Sequence, residues 1–289
     1  MPTLSLTDTH CHLYVEAFNR PNPSSEESRA DRAAIESDRE AEPVAPFLAR
    51  AEEAGVDRIL LPAIELASME QMDRLMESAR RLQPGLVLRP MAGIHPCEVK
   101  PGSRPPEQAL AEAVFSDRVI GVGETGLDGY WSREAMDEQE ISLRLHCRLA
   151  RESGKPIVLH NRETTDELLQ IIEQEQDGRL RGVWHCFNGT VEQGRRAIDL
   201  GLHLGIGGVL TYPRSGVSET VATLPPERMV LETDAPYLAP VPRRGKRNEP
   251  SYLLHTATHL AGVLNLPLDE LAALTTRTAL ALFPEPPAG

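Results

Sequence analysis

The residues best suited to chemistry begin at the N-terminus, where Asp8, His10 and His12 alternate along a short segment. Residues two apart on a β-strand point to the same face, so the two imidazoles are expected side by side. Neutral imidazoles are common ligands of transition metals. The spacing therefore predicts half of a metal site. His-x-His alone is only a moderate signal, because such pairs also arise by chance in loops.

Further imidazoles and carboxylates follow, each at the end of another short, apolar, strand-like segment: His95, Glu124, His160, His185 and Asp234. Together with His10 and His12 they exceed what one tetrahedral ion needs. Two ions are therefore expected, with Glu124 or a water between them. Such ions lower the pKa of bound water and supply a nucleophile at neutral pH. Asp234 is a candidate proton acceptor from that water as well as a ligand.

The segments that must position these residues alternate between continuous apolar runs and helix-like stretches. Continuous runs are typical of parallel strands covered on both faces. With the opening strand there are eight, the others being Arg58–Ala63, Leu86–Gly93, Val119–Gly123, Pro156–His160, Gly182–His185, Leu202–Ile206 and Arg228–Asp234. This pattern predicts an α/β fold, a (β/α)8 TIM barrel that forms a single domain over residues 1–289. A doubly wound open sheet is the alternative, but no Gly-x-Gly-x-x-Gly turn follows the first strand.

A polar, proline-punctuated insertion at about residues 16–46 follows the first strand. It is expected either to cover the site as a lid or to be an ordinary solvated loop.

Composition limits the classes of protein. No apolar run approaches the roughly 18 to 20 residues needed to cross a membrane, and no basic and apolar leader is visible at the N-terminus. The 4 cysteines are scattered, which favours reduced thiols in a cytoplasmic protein. A net charge of −13 argues against non-specific coating of nucleic acid, but not against an enzyme that engages a few phosphates through metal ions. A monomer is expected.

Seven segments resemble the TatD family of metal-dependent hydrolases, in order and across nearly the whole chain. They are residues 8–13, 93–96, 121–128, 156–162, 182–187, 231–240 and 241–250. The resemblance implies an amidohydrolase-type barrel with two divalent ions (Zn, Mn, Mg or Co). For the best-known members it also implies deoxyribonuclease activity, often 3′→5′ exonucleolytic, with DNA ends as substrate. By the same resemblance the ligands are His10, His12, Glu124, His160, His185 and Asp234, which leaves His95 to orient a ligand or contact phosphate.

Other residues are candidates for contacts with substrate or with the ligands. Glu232 precedes Asp234 by two positions and is expected to orient a ligand or a base-pocket side chain. Arg162 is a candidate phosphate contact, against a surface salt bridge as the alternative. The cations Arg244 and Lys246 are further candidates, against a loop held by Glu249. Tyr130, Trp131 and Phe187 are candidates for stacking on bases, against ordinary loop packing.

The expected function is hydrolysis of phosphodiesters by metal-activated water, as a 3′→5′ exodeoxyribonuclease. Hydrolysis of another ester or amide, such as an aminoacyl-tRNA ester, is the enzymatic alternative. Relatives with those activities often bridge their metals with a carboxylated lysine on strand 4, where this chain has Glu124. A binding scaffold without chemistry would be expected to lack one or two ligands, and all six are present. The sequence departs from the family pattern at Asn161, where Ser is common, at Arg243, where His is common, and in its long insertion. None of these is a metal ligand, so the departures bear on substrate choice.

Overall fold

The computed structural model describes residues 4–15, 18 and 43–285. Most of the predicted insertion at 16–46 lies outside the described residues. Within the described part, eight parallel strands form two sheets, with the order β1-β2-β3 and β4-β5-β6-β7-β8. They are β1 (Leu6–Asp8), β2 (Val56–Pro62), β3 (Val87–Met91), β4 (Val122–Asp128), β5 (Ile157–Arg162), β6 (Gly182–Trp184), β7 (Leu202–Ile206) and β8 (Met229–Leu231).

Backbone hydrogen bonds join the two sheets at both edges. Between β3 and β4, the amide of Ala92 donates to the carbonyl of Gly121 (3.2 Å), and the amide of Gly123 donates to that of Ala92 (2.8 Å). Between β8 and β1, the amide of Thr9 donates to the carbonyl of Leu231 (2.9 Å). The strands therefore form a closed circuit. This confirms the predicted TIM-barrel architecture and excludes the doubly wound open sheet.

Helices follow the strands and cover the outside of the barrel. Those within the described ranges are α1 (Ala45–Glu53), α2 (Ser68–Leu82), α3 (Glu107–Phe115), α4 (Met136–Ser153), α5 (Thr165–Glu175), α6 (Val191–Asp199), α7 (Val217–Val221), α8 (Leu253–Leu264) and α9 (Leu268–Leu282). None of them is both long enough and apolar enough to span a bilayer. Helix α1 begins at Ala45, close to the predicted end of the insertion at about residue 46.

The barrel interior is filled by a small apolar cluster, separate from the main core between the sheet and the helices. It combines Leu60, Met91, Ile120, Val158, Val183 and Val230 with Ala279, Leu282 and Phe283 at the end of α9. Because these residues come from β2, β3, β5, β6 and β8 and from the segment before β4, they pack across the barrel axis. Polar side chains at the carboxyl ends of the strands therefore rest on a solid apolar floor.

The predicted position of the fourth strand was wrong. The expected run was 119–123, whereas β4 begins at Val122 and continues to Asp128. Its second half contains polar and small residues, which hide the apolar pattern. Gly126 explains the local path, since a Cβ there would lie 2.0 Å from the carbonyl oxygen of His160 and its φ is 142°. A glycine thus lets β4 pass close to β5 and carry Glu124 inside the strand rather than at its end.

Candidate metal centre

Two histidines and an aspartate converge where β1 meets β8. The amide of Asp234 donates to the carbonyl of His10 (2.8 Å), and the amide of His12 donates to the carbonyl of Ala235 (2.8 Å). The hydrogen bonds that close the barrel therefore place these side chains together. The Nε2 atoms of His10 and His12 are 3.1 Å apart. Oδ1 of Asp234 lies 3.8 Å from the first and 3.6 Å from the second.

Asp8 holds this junction without entering the cluster. Its carboxylate accepts hydrogen bonds from the Thr233 amide (2.9 Å) and hydroxyl (2.6 Å), and from the His10 amide (3.3 Å). Asp8 therefore ties the end of β1 to the segment after β8.

Glu124 lies between two groups of imidazoles. Its Oε2 is 3.0 Å from Nε2 of His10 and 3.4 Å from Nε2 of His12. Its Oε1 is 3.0 Å from Nδ1 of His160. The carboxylate is buried, so each oxygen is directed to one group rather than to solvent.

The orientation of the His160 ring is fixed by Asp128, the last residue of β4. Oδ2 of Asp128 lies 2.9 Å from Nε2 of His160. Burial would raise the pKa of Asp128, but hydrogen bonding to His160 and the charge of His160 lower it to about 2. An ionised carboxylate only accepts, so Nε2 of His160 carries the donated proton. In the neutral ring, Nδ1 then has a free lone pair that faces Glu124, as a metal ligand requires.

His185 faces the cluster with Nε2, the ring nitrogen opposite to the one that His160 presents. It follows β6, and its Nε2 is 3.8 Å from Glu124 Oε1 and 3.8 Å from Asp234 Oδ1. Its Nδ1 is 3.1 Å from Oε1 of Glu232, which also accepts a hydrogen bond from the Cys186 amide (2.5 Å). Glu232 thus sits behind the ring, although the buried Nδ1 of His185 has no hydrogen-bond partner among the described residues.

His95 presents a donor rather than a ligand. The amide of Cys97 donates to its Nδ1 (3.1 Å), so the proton of the neutral ring is on Nε2. That Nε2 lies 3.2 Å from Nδ1 of His160 and 3.5 Å from Oε1 of Glu124. His95 is therefore arranged to give a hydrogen bond to an acceptor at the centre of the cluster.

A family model described as "TatD related DNase" matches residues 7–284. The chain belongs to this family. The uncharacterised metal-dependent hydrolase YabD of Bacillus subtilis is 29% identical over 279 residues, which cover 96% of this chain and 98% of that protein. The uncharacterised metal-dependent hydrolase YjjV of Escherichia coli K12 is 31% identical over 282 residues, 96% of this chain and 98% of that protein.

Solved structures give the same result for the fold. The crystal structure of YjjV, a TatD homologue, matches with a TM-score of 0.77 at 31% identity, covering 96% of this chain and 97% of that one. A TatD-family hydrolase of Entamoeba histolytica matches with a TM-score of 0.77 at 20% identity, over 98% and 99% of the two chains. Taken with the His, Asp and Glu clusters, these likenesses identify this TatD-family chain as a metal-dependent hydrolase.

The residues present fit divalent ions. Four groups of ligand atoms lie within 4.8 Å of one another in the described part of the chain: His10, His12 and Asp234; His10, His185 and Glu232; His95, Glu124 and His160; and His185, Cys186 and Asp234. Imidazole and carboxylate donors suit Zn, Mn or Co, and Mg less well. Among the described residues, three buried polar atoms beside the cluster have no hydrogen-bond partner: Nδ1 of His10, Nδ1 of His185 and Oε2 of Glu232. The cluster is thus built from metal-ligand types in a site that its internal hydrogen bonds do not fully satisfy.

The electrostatics of the cluster are consistent with that fit. Burial would raise the pKa of Glu124, but the surrounding imidazoles, His10 foremost, hold it well below its usual range. Burial lowers the pKa of His10 well below its ordinary value. Burial also opposes the imidazolium of His185, yet Cys186, Glu232 and Asp234 raise its pKa well above the usual value. The carboxylates therefore need positively charged partners, and protonated histidines supply that charge in the metal-free protein.

The cluster opens into a cavity of about 630 Å³, within the range of ligand sites. Arg162 lines this cavity, with its guanidinium 3.5 Å from the Tyr130 ring centroid. Arg244 and Lys246 are not among the described residues that line it. Their segment turns back on itself after β8, and the Arg244 guanidinium lies 4.4 Å from the Tyr212 ring centroid. The structure thus brings Arg162 to the cavity, but not the other two predicted phosphate contacts.

One aromatic residue differs from its sequence-based interpretation, and another that contacts the site was not predicted. Phe187 cannot stack on a base, because it is buried and packs edge-on against Trp184, with ring centroids 4.9 Å apart. Tyr14 was missed: its hydroxyl lies 3.1 Å from Nδ1 of His12 and donates to the Pro62 carbonyl (2.7 Å). Its position two residues after His12 is a weak signal that could have found it.

Proposed function

We propose that this TatD-family hydrolase cleaves phosphodiester bonds at the ends of DNA strands and removes nucleotides from the 3′ end. The position of Glu124 carries the proposal. Its Oε2 faces His10 and His12 (3.0 and 3.4 Å), whereas its Oε1 faces His160 (3.0 Å). A carboxylate with one oxygen toward each of two imidazole groups suits a pair of divalent ions, the arrangement that supports in-line displacement at phosphorus.

The residues that would hold the two ions divide around Glu124. His10, His12 and Asp234 would hold one ion, and His160 and His185 would hold the other, with Glu124 shared. When bound, such ions lower the pKa of water and neutralise charge on the phosphoryl oxygens.

The remaining roles belong to the side chains of the chain itself. Asp234 lines the cavity and would accept the proton of the attacking water. The Nε2–H of His95 would donate to a phosphoryl oxygen as negative charge develops there. Arg162, exposed at the cavity wall, would pair with a phosphate of the bound strand. The preference for DNA follows the family description, and the 3′→5′ direction follows the family resemblance.

The test is the release of mononucleotides from single-stranded DNA labelled at the 3′ or the 5′ end. Reactions would run without metal and with Mg²⁺, Mn²⁺, Co²⁺ or Zn²⁺. Early appearance of labelled mononucleotide only from the 3′-labelled strand is the expected result. Asp234→Asn should abolish it, while Asp199→Asn, a matched change at an exposed position on α6, should not.

Two outcomes would overturn the proposal. Mononucleotide release in the presence of chelator would contradict metal dependence. Failure to cleave any DNA, in protein shown to bind metal and to hydrolyse an aminoacyl or other carboxylic ester, would assign the site to that ester class instead.

A further inference from the structure

A second cavity, of about 450 Å³, adjoins the cavity above the metal centre. Cys97, Asp128 and Trp131 line both. The second cavity lies between the loop after β3 and the segment before α4. Its walls include the apolar residues Pro96, Val99, Pro101 and Ala135. It therefore offers an apolar compartment that continues directly from the reaction cavity.

Trp131 stands at the boundary between the two cavities. Its side chain is 72% exposed, which is unusual for the largest apolar side chain. The side chain therefore contributes little to the core. The ring packs edge-on against Tyr130, with centroids 4.9 Å apart. The Arg162 guanidinium lies 3.5 Å from the Tyr130 centroid and 5.4 Å from that of Trp131. This stack braces an aromatic surface beside the active cavity.

We propose that the second cavity is a nucleobase subsite, in which the base next to the nucleotide being cleaved stacks on Trp131. This inference rests on the proposed function in taking a nucleic-acid strand as the substrate. Stacking tolerates any base, because every base has a π-face. The subsite therefore recognises a strand without reading its sequence.

The charges around the second cavity set the direction of the bound nucleotide. Lys100 is exposed at the wall, and its amino group has no ion-pair partner among the described residues. Glu134 lines the same cavity and would repel a phosphate. The phosphate should therefore face Lys100, while the base occupies the apolar interior.

The binding test uses the intrinsic fluorescence of metal-free protein, so that no hydrolysis occurs. The chain has 2 tryptophans, and Trp184 is fully buried. Titration with oligothymidylates of two to six nucleotides should quench Trp131, whereas thymidine 5′-monophosphate, which has no neighbouring base, should not. Affinity should rise from the mononucleotide to the dimer. Trp131→Phe should abolish the quenching but keep most of the affinity. Trp131→Ala should bind the dimer and longer strands roughly five- to a hundredfold more weakly, with little change for the mononucleotide.

Lys100→Met separates the phosphate contact from stacking. It should reduce the slope of log affinity against log salt concentration by about one and leave the quenching at saturation intact. Phe115→Ala is the matched control for Trp131→Ala, because Phe115 is 50% exposed at the end of α3 and lines neither cavity.

The inference and the proposed function can fail separately. Quenching that depends on strand length, in a protein that hydrolyses no DNA, would support the subsite and overturn the nuclease. DNA cleavage with no quenching of Trp131, or with equal losses for Trp131→Ala on the mononucleotide and on the oligonucleotides, would overturn the subsite alone.

Discussion

Replacing Asp128 with Asn should weaken metal binding more than replacing it with Ala, although Asn is closer in shape. The two oxygens of Asp128 have different partners. Oδ2 accepts from Nε2 of His160 (2.9 Å), and Oδ1 accepts from the amides of Tyr130 (3.0 Å) and Trp131 (3.4 Å). Asparagine has one oxygen and cannot serve both sets of donors.

The amide conflict acts through the tautomer of His160. If the Asn oxygen stays on the loop amides, its NH₂ faces Nε2 of His160, which must then accept. The ring proton moves to Nδ1, which is 3.0 Å from Oε1 of Glu124, and the lone pair that would bind metal is lost. If the side chain flips, its NH₂ faces two backbone donors. Alanine removes the carboxylate without imposing either conflict.

The expected losses follow from ordinary hydrogen-bond energies. A hydrogen bond to a charged group contributes about 1.5–3 kcal/mol, so Asp128→Ala should bind the ion at His160 roughly 10- to 100-fold more weakly. In Asp128→Asn, a mispaired buried donor adds about 1–3 kcal/mol. We therefore expect a further loss of roughly five- to a hundredfold.

Competition with a chromophoric zinc chelator at fixed pH would measure these affinities and the number of ions bound. Asp199→Asn serves as the control for an Asp-to-Asn change at an exposed site, and thermal unfolding of the metal-free variants would establish that they fold. Zinc affinity for Asp128→Asn equal to or above that of Asp128→Ala would refute the tautomer argument.

Three further predictions concern protons and packing. Metal affinity should rise with pH through neutrality, because the raised pKa values of His160 and His185 mean that protons must leave before metal binds; calorimetry showing no proton release would contradict this. Gly205→Ala should weaken zinc binding, since the new Cβ would lie 2.2 Å from Oε2 of Glu232 and displace the carboxylate behind His185; unchanged zinc affinity would argue against that role of Glu232. The third prediction is that His146 makes the stability of the fold sensitive to acid. Burial lowers the pKa of His146 from 6.5 to about 4. As pH falls from 6.5 towards 4, only the unfolded chain gains the proton, so the free energy of unfolding should fall by up to about 3 kcal/mol. Urea titrations should show a smaller fall for His146→Gln, and equal falls would exclude His146 as the cause.

The barrel was predictable because its pattern is carried by continuous segments of sequence. The expected seventh strand, Leu202–Ile206, has the bounds that the structure gives it. The fourth strand was misplaced because its second half, 125–128, owes its extended conformation to pairing with β5 rather than to its own apolar residues. The position of a strand can thus be predicted from sequence where burial dictates the residue types. It cannot be predicted where pairing with a neighbouring strand determines the extended conformation.

Aromatic residues near the site show a second limit. Trp131 and Phe187 both follow strands that carry proposed ligands, and sequence alone treated them alike. The structure leaves Trp131 72% exposed and buries Phe187 at 2% exposure. Phe187 is held inward because its amide donates to the carbonyl of Gly205 (2.9 Å) and its ring meets Trp184. Whether a loop aromatic packs or remains available depends on such partners from other strands.

Which ring nitrogen of each histidine carries the free lone pair is the part of the site that cannot be predicted from sequence. The alternation of His10 and His12 correctly placed two imidazoles together, although both follow the end of β1 at Asp8 and only Cys11 between them forms a bridge, to Ala235. His160 and His185 instead direct opposite ring nitrogens to the cluster, Nδ1 and Nε2. Asp128 on β4 makes the choice for the first, and for the second Glu232 after β8 lies 3.1 Å from the nitrogen that faces away from the cluster. Each carboxylate belongs to a different element from its histidine, so the chemistry of the ring is decided only when the barrel closes.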